Sequence, residues 1–216
     1  MKIAIFYDTE TQGLPLWSEP SEHPEQPHIV QLAALLVNLQ SREVLDHMDV
    51  IIKPDGWTIP QETTNIHGIS TERALAEGIP EHEALEQFMA LWQKAVTRVA
   101  HNESFDARIL RIACKRFIDP LDDGTAEKPF SDIWKVGPSE CTQILATPIL
   151  KLPPTEKMKA ARRNHHKSAN LREAFEFFMG RPMENAHNAM ADVMACKDVY
   201  FAILDHKARE ADPLAA

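Results

Sequence analysis

Cysteine is scarce in this chain. Cys114, Cys141 and Cys196 are the only three in 216 residues, and no two have C-x-x-C spacing. An odd, scattered set fits a reducing cytoplasm better than a secreted disulfide framework. No apolar run approaches the roughly 20 residues that a membrane span needs. The first residues, Met1 to Tyr7, are apolar but meet Asp8 and Glu10 at once. They are too short for a signal peptide and offer no small-residue cleavage site. Positive charge is also in deficit: 23 Lys and Arg face 32 Asp and Glu, a net charge of −9. That balance argues against a protein that coats nucleic acid non-specifically, because phosphate affinity comes from Lys and Arg. It leaves open an enzyme that holds nucleic acid through metal ions, since such a site needs clustered carboxylates.

What is present is ordinary globular material, 44% hydrophobic and 25% charged. This excludes disorder, collagen and coiled coil as whole-chain readings. The length fits one domain, and neither an internal repeat nor a splitting linker is visible. Lys2 to Tyr7 reads as a buried strand. Residues 15–27, rich in Pro, Glu and Ser, read as a surface loop. The apolar runs 28–39 and 43–53 read as a hairpin beside the first strand. Pro54-Asp55-Gly56 is a turn, and short helical pieces follow to Glu77. Pro80 opens a helix to about Lys94, Thr97 to Ala100 is a short strand, and a helix follows over 104–117. Residues 119–138 read as irregular and 139–145 as helical. Asn170-Leu171-Arg172-Glu173 is a capping box for a helix that stops at Gly180. A last long helix runs from about Asn188 to Lys207, and residues 211–216 read as frayed. Strands first, with helices over them, predict a mixed sheet in an α/β architecture.

Three places combine acids with an unusual setting. Asp8-Thr9-Glu10 ends the first strand, and residues two apart on a strand face the same way. Two carboxylates on one face repel each other, and a divalent cation between them removes that cost. The alternative is a polar strand terminus in a loop. His101-Asn102-Glu103-Ser104-Phe105-Asp106 joins a strand to a helix, with Asn102 a plausible cap. Asp106 then sits in the first turn, where the helix dipole favours an anion. Phe105 beside it is either core packing or a platform on which a base stacks. His187-Asn-Ala-Met-Ala-Asp192 opens the last helix. A histidine there can take a proton from water and return it, and Asp192 can complete a carboxylate cluster. Alone, this spacing also fits a helix with a polar N-terminal edge.

Taken together and in this order, D-x-E, then D, then H-x-x-x-x-D, the three segments resemble the DnaQ-like family of 3′–5′ exonucleases in its variant with a histidine in the last motif. That family includes proofreading domains, ribonuclease T, oligoribonuclease and the TREX enzymes. The resemblance runs from about Lys2 to Ile203. Phe6 to Leu14 is similar to the first motif, His28 to Ala33 to the second strand, and Asn65-Ile66-His67-Gly68-Ile69 to the segment over the terminal nucleotide. The loop from Leu14 to Gln26 departs from the pattern, being longer and more acidic than in compact members.

The resemblance implies an α/β ribonuclease H-like fold, with a five-stranded mixed sheet flanked by helices. It implies one exonuclease domain over residues 1–207, with 208–216 a flexible tail. Asp8, Glu10, Asp106 and Asp192 would hold two Mg²⁺ ions, or Mn²⁺, and His187 would be the general base. The Thr9 backbone would contact the 3′-hydroxyl, and Leu14 and Ile69 would wedge beside the terminal bases. His67, Asn102 and Phe105 would line the nucleotide site. For Leu14 and Ile69 ordinary burial is an equal alternative. The implied partner is single-stranded or 3′-ended nucleic acid, DNA favoured over RNA, with no membrane and no indication of oligomeric state. The basic run Lys157 to Lys167 either holds the substrate backbone or is a solvated loop. Two competing readings are a module that kept the fold and lost the chemistry, against which the intact acid set and His187 speak, and a hydrolase of another phosphoester, against which Leu14, His67 and Phe105 argue.

Overall fold

The computed structural model describes residues 2–121 and 127–211. Its strands are β1 (Ile3–Thr11), β2 (Ile29–Asn38), β3 (Val44–Ile51), β4 (Thr97–Ala100) and β5 (Ser139–Cys141). Between β3 and β4 lie α1 (Gln61–His67), α2 (Thr71–Glu77) and α3 (Glu81–Trp92). α4 (Glu103–Phe117) and α5 (Phe130–Val136) follow β4. After β5 come α6 (Thr142–Leu150), α7 (Glu156–Ala160), α8 (Leu171–Met179) and α9 (Ala189–Ala211). The strands form one sheet in the order β3-β2-β1-β4-β5. β1, β2 and β3 pair antiparallel, whereas β1–β4 and β4–β5 are parallel. This is the expected five-stranded mixed sheet.

The period-two alternation of β1 sorts its side chains onto two cores. Ile5 and Tyr7 face α3 and α4, packing with Leu85, Phe88, Ile109 and Trp134. Ala4 and Phe6 face α9, packing with Val193, Cys196 and Tyr200. The sheet is therefore buried on both faces, which is why β2 reads as a continuous apolar run rather than an alternating one. Gln31 is the polar interruption in that run, and it lies directly across from Glu10.

Three sequence expectations are corrected. Residues 139–141 form a strand, not a helix, and the helix begins only at Thr142. Three residues carry too little periodicity to betray a strand; pairing with the already formed β4, Arg98 to Ser139 and Ala100 to Cys141, decides it. The segment 119–138 is not irregular throughout, because α5 occupies part of it. α5 is held by its buried Trp134, whose indole N–H donates to the Ala107 carbonyl at 3.0 Å. Residues 122–126 of that segment lie outside the described residues. At the C-terminal end, residues 208–211, expected in the tail, are the last turn of α9, and 212–216 lie outside the described residues. Among the described residues, no helix is long and apolar enough to cross a membrane.

Candidate active site

β4 ends early. Its last residue paired with β1 is Val99, opposite Phe6, so β1 runs on past it and exposes an edge from Asp8 onward. The chain leaves β4 through His101 and Asn102 and starts α4 over that edge. Neutral His101 anchors the exit: Nε2–H donates to the Ala169 carbonyl at 3.0 Å, and Nδ1 accepts from the Thr142 hydroxyl at 2.9 Å. Burial lowers its pKa to about 4, which keeps it neutral. Asn102 precedes α4 in a left-handed conformation, φ 62°, and makes no side-chain cap bond, so its expected role as a capping side chain is not seen.

α4 delivers Asp106 to the open edge. Asp106 Oδ1 accepts from the Thr9 N–H at 3.0 Å and from the Thr9 hydroxyl at 2.7 Å. The acid thus stands where a neighbouring strand would have supplied a carbonyl. One turn back, Glu103 is held by the Tyr7 hydroxyl at 3.0 Å and by Arg98 Nε at 2.6 Å. Thr9 has both donors committed to Asp106, which makes it a positioning residue here.

α9 brings the other half of the site. Its first turn is tied to the sheet by Gln31, whose Oε1 accepts from the Ala189 N–H at 3.2 Å while Nε2 donates to Asp49 at 2.7 Å. Glu10, His187 and Asp192 each present a ligand atom within 4.8 Å of the others. His187 is exposed and left-handed, φ 68°. Its backbone N–H donates to Asp192 Oδ2 at 3.3 Å. Asp192 Oδ1 is buried with no partner among the described residues. A cleft of about 290 Å³ opens beside them, lined by Asn170, Arg172 and Met183 among others.

The electrostatics of this arrangement are severe. Burial, with Asp106, Asp192 and Glu10 nearby, raises the Asp8 pKa well above the usual carboxylate range. Glu10 is pushed up to about 8, by burial and then by Asp192 and Asp106. Burial takes Asp106 to about 7, against the opposing pull of the Thr9 hydrogen bonds. Asp192 rises to about 6 by burial, with His187 and Arg172 lowering it. Four acids that resist ionising together, one of them with a buried oxygen lacking a partner, fit an oxygen-ligated divalent cation. The structure therefore brings together Asp8, Glu10, Asp106, His187 and Asp192.

The nucleotide-site residues divide. Leu14 is 77% exposed at the start of the long loop, whereas Ile69 is 2% exposed and packs with Val30, Ile59 and Ala74. His67 ends α1, which closes at left-handed Gly68, φ 74°. His67 Nδ1 accepts from the Ile69 N–H at 3.1 Å, leaving Nε2 buried without a partner among the described residues. Burial and His187 lower the His67 pKa; the Thr11 backbone raises it without completing a hydrogen bond. Phe105 is half-buried and Asn102 exposed. Gln31 and Arg172 belong to the site although neither lies in one of the three acidic segments. A lone amide in the run Ile29-Val30-Gln31-Leu32-Ala33 was the available signal for the first; Arg172, on a polar helix face, had none.

The exonuclease family model RNase_T matches residues 5–200. The chain belongs to this exonuclease family. It is accordingly a DnaQ-like domain of the ribonuclease H-like superfamily. Over 148 residues it is 30% identical to the PolC-type DNA polymerase III of Thermotoga maritima, covering 68% of this chain and 9% of that one. Its fold is similar to E. coli exonuclease I in complex with a dT13 oligonucleotide, with a TM-score of 0.68 at 19% identity, covering 98% of this chain and 42% of that one. A zinc-bound form of the E. coli exonuclease I–single-stranded DNA complex gives a TM-score of 0.66 at 19% identity, covering 99% and 42%. The chain thus spans less than half the length of these relatives.

Proposed function

We propose that this domain is a 3′–5′ exonuclease that removes nucleotides from single-stranded nucleic acid, DNA in preference to RNA, and releases nucleoside 5′-monophosphates. The observation that carries the reading is the convergence of four mutually destabilising carboxylates and a free imidazole on the exposed end of β1. Asp8, Glu10, Asp106 and Asp192 would hold two Mg²⁺ ions, or Mn²⁺. Bound there, the ions would neutralise the acids, polarise the scissile phosphate and acidify the attacking water.

The chain's own residues supply the rest. His187 is tethered through its backbone, so its imidazole is free to accept the proton of the water. Leu14 and Phe105 offer apolar surface to the terminal base, with His67 and Asn102 beside them. Thr9 fixes Asp106. Residues 1–207 form the exonuclease domain in this reading, and three free cysteines, two of them buried, suit a cytoplasmic location. The oligonucleotide bound to E. coli exonuclease I makes single-stranded DNA the first substrate to try.

The test is degradation of end-labelled (dT) strands with Mg²⁺ or with chelator. A 3′-phosphate should stop the reaction and a 5′ block should not. Cleavage of circular single strands at an equal rate would show an endonuclease instead. The partial match to PolC-type polymerases favours a second reading, a polymerase-associated module. Activity of the isolated chain, without any polymerase, decides against that module being silent.

A further inference from the structure

The loop that departs from the compact family pattern is not a loose excursion. Gln26, 2% exposed, closes it from inside: its Oε1 accepts from the Leu16 N–H at 3.0 Å, and Nε2 donates to the Leu16 and Pro20 carbonyls at 3.0 and 2.9 Å. Three arginines of α4 clamp it from outside. Arg108 donates to the Glu19 carbonyl at 2.5 Å, Arg111 to the Ser21 hydroxyl at 2.9 Å, and Arg116 to the Gln26 carbonyl at 2.7 Å. Such fixing is costly for a surface segment unless it holds something in place.

What it holds out is Trp17. This indole is 59% exposed. It forms one wall of a pocket of about 350 Å³, whose other lining includes Ser104, Arg108, Arg111 and Lys135. The pocket lies beside the α4 end of the carboxylate site: its lining residue Glu103 accepts from the hydroxyl of Tyr7, the neighbour of Asp8, and shares the first turn of α4 with Asp106. Four cations, Arg98, Arg108, Arg111 and Lys135, face a single carboxylate, Glu103, within the lining. In a chain of net charge −9 that is a local reversal of sign. Glu103 is already used by Arg98, and Arg111 also reaches Asp132 at 3.1 Å. Arg108 pairs with no carboxylate among the described residues, and its Nε, like that of Arg111, is buried without a partner. Burial and the neighbouring Arg111 lower the Arg108 pKa and Glu22 raises it; the net shift is downward, a crowding that an anion would relieve.

We propose that this pocket is a second nucleotide subsite, in which Trp17 stacks on a base upstream of the scissile bond while Arg108 and Lys135 hold the adjoining phosphates. It rests on the exonuclease reading of the carboxylate site and names the path by which the strand leaves it. An exposed indole stacks any base, and cations at its side follow the backbone, so the subsite is tolerant of sequence.

The test separates binding from catalysis. Anisotropy of fluorescein-labelled (dT)2 and (dT)8 is measured in Ca²⁺, which suppresses turnover, for the wild type, Trp17→Ala, Trp17→Phe and Lys135→Glu. Stacking of one base corresponds to about 5- to 150-fold in affinity. Trp17→Ala should weaken (dT)8 by that factor and narrow its advantage over (dT)2, with Trp17→Phe restoring most of it. Lys135→Glu should reduce the salt dependence of (dT)8 binding by about one phosphate contact. Unchanged (dT)8 affinity in Trp17→Ala, at an unchanged melting temperature, overturns the subsite and leaves the indole to a protein partner. A wild type that cleaves nothing in Mg²⁺ or Mn²⁺, yet binds (dT)8 in a Trp17-dependent way, overturns the catalytic reading and keeps the subsite.

Discussion

His187 holds Asp192 through its backbone and not through its imidazole. The N–H donates to Asp192 Oδ2 at 3.3 Å from a left-handed residue, φ 68°, and the ring stays exposed. Structure and chemistry at this position can therefore be taken apart. His187→Asn and His187→Ala both remove the base and should slow the single-turnover rate by on the order of 10²–10⁴-fold. Asparagine tolerates the left-handed region, whereas alanine should cost about 1 kcal/mol more in stability. Rates and melting temperatures of both variants check this. A rate loss confined to the alanine variant would assign His187 to backbone geometry.

Thr9 and Asp106 make the second separable pair. The hydroxyl contact at 2.7 Å stabilises the ionised form of an acid that burial pushes up to about 7. Thr9→Val keeps the shape and the backbone bond but removes that contact. Asp106 should then ionise only at higher pH. The Mg²⁺ concentration for half-maximal activity at pH 7 should rise about tenfold and recover towards pH 9. Thr9→Ser should behave as wild type. Equal Mg²⁺ requirements for the serine and valine variants would show the hydroxyl to be idle.

Gln31 couples the sheet to α9. Replacing it by leucine leaves the Ala189 N–H buried without its acceptor and Asp49 without its donor, a cost of about 1–3 kcal/mol. Because Ala189 lies between His187 and Asp192, the same change should slow turnover. Melting temperature and the single-turnover rate at saturating Mg²⁺ measure the two effects. A stability loss with an unaltered rate would show that the first turn of α9 holds its position without Gln31.

Much of this was legible in the chain. The β1–β3 meander follows from apolar runs broken by turn residues, and the acids fall at element ends because strand and helix termini are where polar chemistry can reach a cleft. The misses have a common cause. β5 is specified by its pairing with β4, not by its three residues, and α5 by the cavity that Trp134 fills between Tyr7, Phe88 and Trp92. Both are tertiary decisions. The same holds for the clamped loop: Pro, Glu and Ser composition reads as a surface loop, and its fixing comes from contacts that composition does not carry, Gln26 from inside and Arg108, Arg111 and Arg116 of α4 from outside. Ile69 and Leu14 look alike as apolar residues near motifs, yet packing buries one and exposes the other.

The last prediction concerns pH and metal together. In the unfolded chain the four site acids titrate near 4. Folded and without metal, Asp106 is pushed to about 7 and Glu10 to about 8, with Asp8 also raised. The native state therefore binds more protons than the unfolded state across that interval, and stability falls as pH rises through it. His101 acts in the other direction. Its folded pKa, lowered to about 4, means that stability is lost as pH drops below about 6.5, where an unfolded histidine protonates. Between pH 6.5 and 8 the histidine contribution is flat and the carboxylates act alone. In chelator, the melting temperature should fall steadily over that window. Asp8→Asn and Asp192→Asn should raise it and abolish turnover, since each removes a repelling charge and a metal ligand. Ca²⁺ or Mg²⁺ should reverse the slope for the wild type, because a cation replaces the protons that the acids otherwise retain. A melting temperature indifferent to both pH and divalent ions from 6.5 to 8 would mean that these four carboxylates do not form a metal site.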